Sequence, residues 1–469
     1  MKRLSLVCLL LFSVPVLAQE PDQTPNTQPV LTLEDALKQA QKASPSAREQ
    51  AAKVRKAEWQ QFRADYAWAP KIQSTFAFSL VPAQAEIDDF SSNWDQYLDF
   101  QFGPYLRNDT RVIVPLYTFN RIGVAQDLAQ IGVDVARLQE AEATFDTTFQ
   151  VKRAYFTAQL STAFAAILKE GEDIIKPKLQ EMTEAREFGD ASFSTEDYRK
   201  LQIFDAEFDG RVLDNQKLGD LAVDGVAYFT ANTSEFRIPA LSEDDELPRL
   251  EPLQTYEELA RLHRTDLKLL AKALEARGLA VEKAKADFYP NFVFAASFGF
   301  GWSTEELALK EVCRRPSAGA ECVDTSDLYA RPYSNALDFL SFTVGLGLEW
   351  NIDVVQTYGK YKEADAELAE TLAQRDRATG AIALDIRRLY SDAQIAFRKA
   401  ETNARRLDAA RRWRDQFGLS VKSAGADIAK GIDPLKAFFE ARVALLQARY
   451  EYLVARAALA KGIGLHELP

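Results

Sequence analysis

Histidine is nearly absent from this chain of 469 residues: there are two, His263 and His466. Neither lies in a metal-binding spacing or beside a serine and an acid that would suggest a catalytic triad. No Walker loop and no Cys-x-x-Cys pair occurs either, so the sequence argues against an enzyme and offers no cofactor site. Cysteine is scarce as well. Of three, Cys8 falls in the first twenty residues, leaving Cys313 and Cys322 in "EVCRRPSAGAEC". Two close cysteines in an exported chain suggest a disulfide closing a small loop; a metal site there would lack a nearby histidine. Beyond the first residues, no run approaches the eighteen apolar residues that a spanning helix needs. If this chain crosses a membrane, it does so by strands.

What is present begins with "MKRLSLVCLLLFSVPVLAQE". Lys2 and Arg3 precede an apolar run that ends in Val16-Leu17-Ala18, which predicts a secretory signal peptide over 1–18. The formal net charge of −12 becomes −14 once those two cations leave. Acidic and basic residues are mixed throughout, which suits a nucleic acid poorly as partner.

The chain also repeats itself. "LTLEDALKQAQKASPSAREQAAKVRKAEWQQFRADYAWAPKIQSTFAFSL" parallels "LQTYEELARLHRTDLKLLAKALEARGLAVEKAKADFYPNFVFAASFGFGW", with Pro70 matching Pro290 at an offset of 220. Each proline ends an Ala-rich helical segment and starts an alternating run, where a residue without an N–H is tolerated. Later the offset is 236: Gly123 matches Gly359, Gly189 matches Gly425, and Asp197 matches Asp433. The additional residues fall at about Ser303 to Phe339, the segment with both cysteines.

This organisation predicts an extension over 19–31 and a first repeat over 32–231, with a β-hairpin at about 71–117 and a long helical hairpin at about 121–231. An acidic, proline-containing linker over 232–252 precedes a second repeat over 253–469, with a hairpin at about 290–353 and helices at about 354–465.

In the strands, "LSFTVGLGLEWNID" alternates strictly. Leu340, Phe342, Val344, Leu346, Leu348, Trp350 and Ile352 lie on one face, with small or polar residues on the other. "PNFVFAASFGFGWS" does the same with Phe292, Phe294, Phe298, Phe300 and Trp302. In the first hairpin Ile72, Phe76, Phe78 and Leu80 share a face, as do Val112, Val114 and Leu116, while Pro104 and Pro115 bound or interrupt the second strand. A strand of about thirteen residues is roughly 40 Å long, near 30 Å across a bilayer when tilted. Alternation alone does not distinguish lipid from a protein core. Four strands cannot close a pore, so a membrane barrel would have to be shared among chains.

The helices are long. No proline occurs between Pro332 and Pro434. From Ile382 a seam runs through Ile386, Leu389, Ala393, Ala396, Ala400, Ala404, Leu407, Ala410, Trp413 and Phe417, a mean step of 3.5 residues. That step indicates a left-handed coiled coil. A helix from Val354 to about Phe417 would measure on the order of 100 Å, and its counterpart, about Arg121 to Glu187, contains Pro177. Such helices form a rod or line a tunnel; a soluble bundle is the plainer reading.

The ordered set of signal, helix, hairpin and long helical hairpin, duplicated, resembles the TolC-type outer-membrane efflux proteins. The resemblance rests on "LTLEDALKQAQKASPSAREQAAKV", the junctions at Pro70 and Pro290, and the final "GIDPLKAFFEARVALLQARYEYLVARAALAKGIG". It implies a mixed α and β membrane protein in which three chains share a twelve-stranded barrel above an α-barrel tunnel, in the outer membrane of a Gram-negative cell. The implied partners are two further copies of the chain, outer-membrane lipid, a periplasmic adaptor, and a proton-driven or ABC inner-membrane pump. The expected function is an exit duct for efflux or type I secretion; a soluble periplasmic coiled-coil spacer is the alternative. Function would reside at the helical tips, around Gly189, Asp190, Asp197, Gly425, Asp427 and Gly431. The family's entrance acids align with Asp433 and Lys436, so the second position departs from the pattern. Asp427 could supply charge instead, and Asp433 could simply favour a helix N-terminus.

Overall fold

The structure is a computed structural model, and it describes residues 29–82, 102–188, 194–303, 339–424 and 432–469. The segment 1–28, both cysteines, and Gly189, Asp190, Gly425, Asp427 and Gly431 lie outside the described residues.

One order of elements occurs twice. It runs α1 (Leu33–Ala43), α2 (Pro45–Asp65), β1 (Lys71–Pro82), β2 (Phe102–Tyr117), α3 (Arg121–Glu187), α4 (Thr195–Thr230), then α5 (Leu253–His263), α6 (Thr265–Ala286), β3 (Asn291–Ser303), β4 (Phe339–Glu349), α7 (Val354–Ala424) and α8 (Ile432–Ile463). The two offsets read from the sequence carry the register of β1–β2 onto β3–β4: Lys71↔Ile113 becomes Asn291↔Glu349, and Val81↔Gly103 becomes Gly301↔Phe339. No helix among the described residues is long and apolar enough to cross a membrane.

The single helix expected before each hairpin is two helices. Pro45 has no N–H and disfavours helical backbone at the residue before it, so Ser44 adopts φ −60°, ψ 144° and its N–H closes α1 on the Ala40 carbonyl. In the second half Arg264 makes the same break without a proline, at φ −61°, ψ 122°. Its guanidinium is held by Asp266 at 3.0 Å and Asp385 at 3.1 Å.

The two long helices have 67 and 71 residues, and α3 continues through Pro177. The α7 seam differs from the expected one at two places. Ala393, Ala396, Ala400, Leu407 and Ala410 are buried, but Ala404 is exposed and Asn403 takes the interior step. A strict three–four alternation passes through 403, and the polar side chain is accommodated by an Nδ2–H donated to the Lys399 carbonyl at 3.0 Å. At the next turn Trp413 is exposed, and Arg414 lies 4.0 Å from the Phe438 ring centroid of α8.

The chain forms two compact units. One comprises residues 1–45, 147–250 and 392–458. Its core includes Leu160, Leu407, Phe438, Phe439 and Leu446 in one cluster, and Leu31, Tyr155, Val226 and Ile238 in another. The linker is held there. A short bridge joins Val30 and Arg237, and Tyr155 Oη–H donates to the Leu31 carbonyl at 2.9 Å.

The other unit comprises 46–146, 251–391 and 459–469 and carries the whole sheet. The sheet is antiparallel in the order β1-β2-β3-β4, so β1 and β4 are its edges. Below it Val54, Ala57, Val133 and Ala136 pack α2 on α3. Alanine at these positions lets helix backbones approach closely. Pro104 and Pro115 lie inside β2, where a bulge at Pro115–Tyr117 sets Tyr117 opposite Phe292.

Candidate functional site

The register sorts every strand residue onto one of two faces, because directly paired residues share a face. One face carries the rows Ser74–Thr110–Phe298–Phe342, Phe76–Asn108–Phe300–Leu340 and Ile72–Val112–Ala296–Val344. The other carries Ala77–Arg107–Gly301–Phe339, Thr75–Asp109–Gly299–Ser341 and Gln73–Arg111–Ser297–Thr343. All five charged residues of the described strands, Lys71, Arg107, Asp109, Arg111 and Glu349, are on this second face.

The uncharged face is open to its surroundings. Phe76 and Phe342 are each 74% exposed and Leu346 is 79% exposed. A monomeric soluble protein seldom presents a contiguous apolar surface of this kind. Three polar side chains interrupt it. Asn108 Nδ2–H donates to Ser74 Oγ at 2.9 Å, Thr110 Oγ1–H donates to Asn108 Oδ1 at 3.1 Å, and the two hydroxyls lie 2.7 Å apart. Asn108 is buried. The three groups satisfy one another, which lowers the cost of an apolar setting. This cluster was not foreseen: the period-two pattern marks Asn108 and Thr110 as irregularities, but only the register places Ser74 beside them.

Where strands meet helices the surface is aromatic. Phe119 stacks on Tyr289 with centroids 4.8 Å apart, beside Tyr117 and Phe292. Trp350 Nε1–H donates to the Phe288 carbonyl at 3.2 Å. Arg121, the first residue of α3, clamps the junction from below. It donates to the Ala286 carbonyl at 2.8 Å and Asn291 Oδ1 at 3.0 Å, and pairs with Asp287 at 3.2 Å. The preceding turn requires positive φ at Phe119 (48°) and Asn120 (67°). A Cβ on Gly123 would run into Asn120 Oδ1, whereas one on Gly359 would meet nothing within 4 Å. The matched glycines thus have different local needs.

Of the residues expected at the tips, Asp197 lies in the first turn of α4, where its N–H donates to the capping Ser194 Oγ at 3.3 Å. Asp433 lies in the first turn of α8 and is exposed. Lys436 is half-buried with its Nζ 5.8 Å from the Phe204 ring centroid of α4. Lys200 of α4 is pushed above the ordinary lysine range first by its hydrogen bond to Glu196 and more weakly by charges that include Asp433. The structure therefore brings Asp433 and Lys436 into the reach of α4.

Sequence reasoning missed the strap that holds the acidic linker. Arg449, 7% exposed, donates to the Glu243 carbonyl at 2.8 Å and to the Asp245 carbonyl. Arg442 pairs with Glu243 at 2.8 Å and Glu170 at 2.5 Å, and Tyr452 Oη–H donates to the Pro248 carbonyl. Arg442 and Arg449 stand seven residues apart, two helical turns, a spacing that could have suggested a shared face. Of the two histidines, His263 is exposed and His466 meets an aromatic ring. His466 lies 4.7 Å from the Phe145 ring, and Gly464 (φ 88°) approaches the His263 carbonyl so closely that a Cβ would be 2.8 Å away.

This arrangement of a four-stranded sheet, paired long helices and duplicated order is the fold of the outer-membrane efflux channels. Solved structures with that fold include the CmeC outer membrane channel of Campylobacter jejuni, with TM-score 0.68 and 12% identity over 92% of this chain and 85% of that one. The open-state MtrE outer membrane channel of Neisseria gonorrhoeae gives TM-score 0.67 and 14% identity, over 92% and 89%. The outer membrane protein VceC of Vibrio cholerae gives TM-score 0.65 and 14% identity, over 92% and 96%. At such identities the likeness defines the fold. By sequence, residues 257–465, from within α5 through the end of α8, match the outer membrane efflux protein family. The TolC-type resemblance is borne out on both counts. This is a family of channels and transport proteins, not of enzymes. No curated protein matches by sequence comparison.

Proposed function

We propose that this chain is an outer-membrane exit duct of a tripartite efflux or type I secretion system, and that three copies share one barrel. The observation that carries the reading is the sorting of charge: one face of the sheet has every charged strand residue, and the other is apolar and exposed. An apolar face against lipid and a polar face toward water is what a barrel wall requires. The open edges at β1 and β4 supply the reason for more than one copy, since a membrane sheet needs closure.

In this reading the duplicated halves, 32–231 and 253–469, each contribute one hairpin to the barrel and one long helical hairpin to the periplasmic tunnel. The tips around Asp197 and Asp433 meet a periplasmic adaptor, and an inner-membrane pump supplies the cargo. Cys313 and Cys322 pair as a disulfide in the longer outer segment. No catalytic step is assigned to any residue.

Cell fractionation and planar-bilayer recording test the proposal. The protein should require detergent for extraction from outer membranes and should conduct ions once reconstituted. Recovery in the soluble periplasm would sink it in favour of a coiled-coil spacer.

A further inference from the structure

The charged face is uneven, and its unevenness bears on what passes. β3 has no charged residue and β4 has one, Glu349, at its end. β2 carries Arg107, Asp109 and Arg111 at alternate positions in the middle of the sheet. Their neighbours in the rows are small or neutral: Ala77 and Gly301, Thr75 and Gly299, Gln73 and Ser297. The two long arginines, with Asp109 between them, therefore form a ridge flanked by smaller or neutral residues.

The two arginines are not equivalent. Arg107 is spent locally: its Nε lies 2.5 Å from Asp109 Oδ2, and its guanidinium lies 5.5 Å from the Phe339 ring centroid. Gly299 makes room for this group, because a Cβ there would come 2.6 Å from Ser341 Oγ, 3.0 Å from Phe339 and 3.6 Å from Asp109 Oδ1. Arg111 is exposed, and among the described residues no carboxylate neutralises it. Lys71 and Glu349, the other two charges, stand at strand ends next to the helices, and they offset one another. The described strands therefore carry a surplus of one positive charge per chain, and Arg111 is its mid-sheet position.

We propose that Arg111 is a selectivity residue of the barrel lumen, favouring passage of anionic solutes that carry carboxylate or phosphate groups. This rests on the exit-duct reading. A guanidinium presents a planar set of donors that suits those oxyanions, and repeating it in each copy around a water-filled wall would create a basic ring. The Arg107–Asp109 pair is the internal control, since its charges cancel and neutralising Asp109 alone leaves Arg107 uncompensated.

The test is the reversal potential of the reconstituted full-length protein in a potassium chloride gradient. Arg111→Ser should lower the chloride-to-potassium permeability ratio several-fold, and Arg111→Lys should largely keep it. Asp109→Asn should raise the ratio by releasing Arg107. Citrate added to one side should reduce the current of the native protein more than that of Arg111→Ser. An unchanged ratio in Arg111→Ser, or a ratio lowered by Asp109→Asn, would overturn the selectivity role while leaving a conducting channel. Absence of conductance in the native protein would overturn the exit-duct reading itself.

Discussion

The two hairpins share a register and almost nothing of their chemistry. The offsets that superpose their pairs set Arg107, Asp109 and Arg111 against Thr343, Gly345 and Gly347 on the polar face. On the uncharged face they set Ser74, Asn108 and Thr110 against Phe294, Val344 and Leu346. The second hairpin is therefore plain, aliphatic and aromatic on the uncharged face and, apart from Phe339 and the terminal Glu349, uncharged and mostly small on the other. The first carries both the charged ridge and the hydrogen-bonded polar cluster. Backbone pairing constrains only the face on which a residue stands, and each duplicate was free to change volume and charge on that face.

The largest effect should come from placing a charge on the plain hairpin. Leu346→Arg puts a guanidinium in the middle of the uncharged face, at a cost of about 2–4 kcal/mol for a lipid-facing midplane position. Gly347→Arg, one residue on, faces the other way and should assemble while altering conductance. Heat-modifiable gel mobility after outer-membrane extraction separates the two. Equal loss in both variants would break the assignment of faces.

Next is the polar cluster, which sharpens the contrast on the apolar side. Asn108→Ala leaves the Ser74 and Thr110 hydroxyls without their shared partner, a loss of about 1–3 kcal/mol. The corresponding change in the plain hairpin, Val344→Ala, removes only apolar surface. Urea unfolding in detergent micelles should give a clearly lower midpoint for the asparagine variant.

The matched glycines give a smaller difference. Gly123→Ala meets only the end of the Asn120 side chain, which must turn aside, so it should be less stable than the matching variant at Gly359 by a few tenths of a kcal/mol, about 0.5 at most. Gly359→Ala meets open space in this chain, and replacing a helical glycine there should be neutral or stabilising by about 0.5 kcal/mol. Thermal midpoints of the two purified variants check this order.

The smallest effect concerns Glu142, which aligns with Ala378 in the second half. Burial pushes the Glu142 carboxyl up, with further raising from Asp266 and Asp146 and opposition from Lys461 and Arg264. A raised carboxylate pKa in the folded state favours folding while the group is protonated. That advantage fades as pH rises from the ordinary glutamate value through the folded value. Glu142→Gln should therefore shift the thermal midpoint slightly upward at pH 7 and leave it unchanged near pH 4.

Much of this fold was legible because it is periodic. Alternation at Leu340–Leu348 and the helix-proline-strand junctions at Pro70 and Pro290 fixed strand positions and faces, and heptad spacing located α7. Single-residue substitutions within a period were harder to read. Asn403 and Arg414 occupy seam steps that apolar counting assigned to Ala404 and Trp413, because a polar residue can hold a seam position when its own hydrogen bond or a ring contact is provided. The Arg442–Arg449 strap was hidden for a different reason: Arg449 donates to backbone carbonyls, which have no sequence signature, 206 and 204 residues away, and the carboxylates that hold Arg442 are 199 and 272 residues away.

A barrel wall requires the uncharged face of the sheet to meet lipid. Spin labels placed singly from Thr343 to Leu348 in the reconstituted protein, read by collision with oxygen and with a water-soluble nickel chelate, test it directly. Labels at 344, 346 and 348 should collide mainly with oxygen, and labels at 343, 345 and 347 with nickel, alternating along the strand. Uniform nickel access at all six positions, or the opposite alternation, would contradict it.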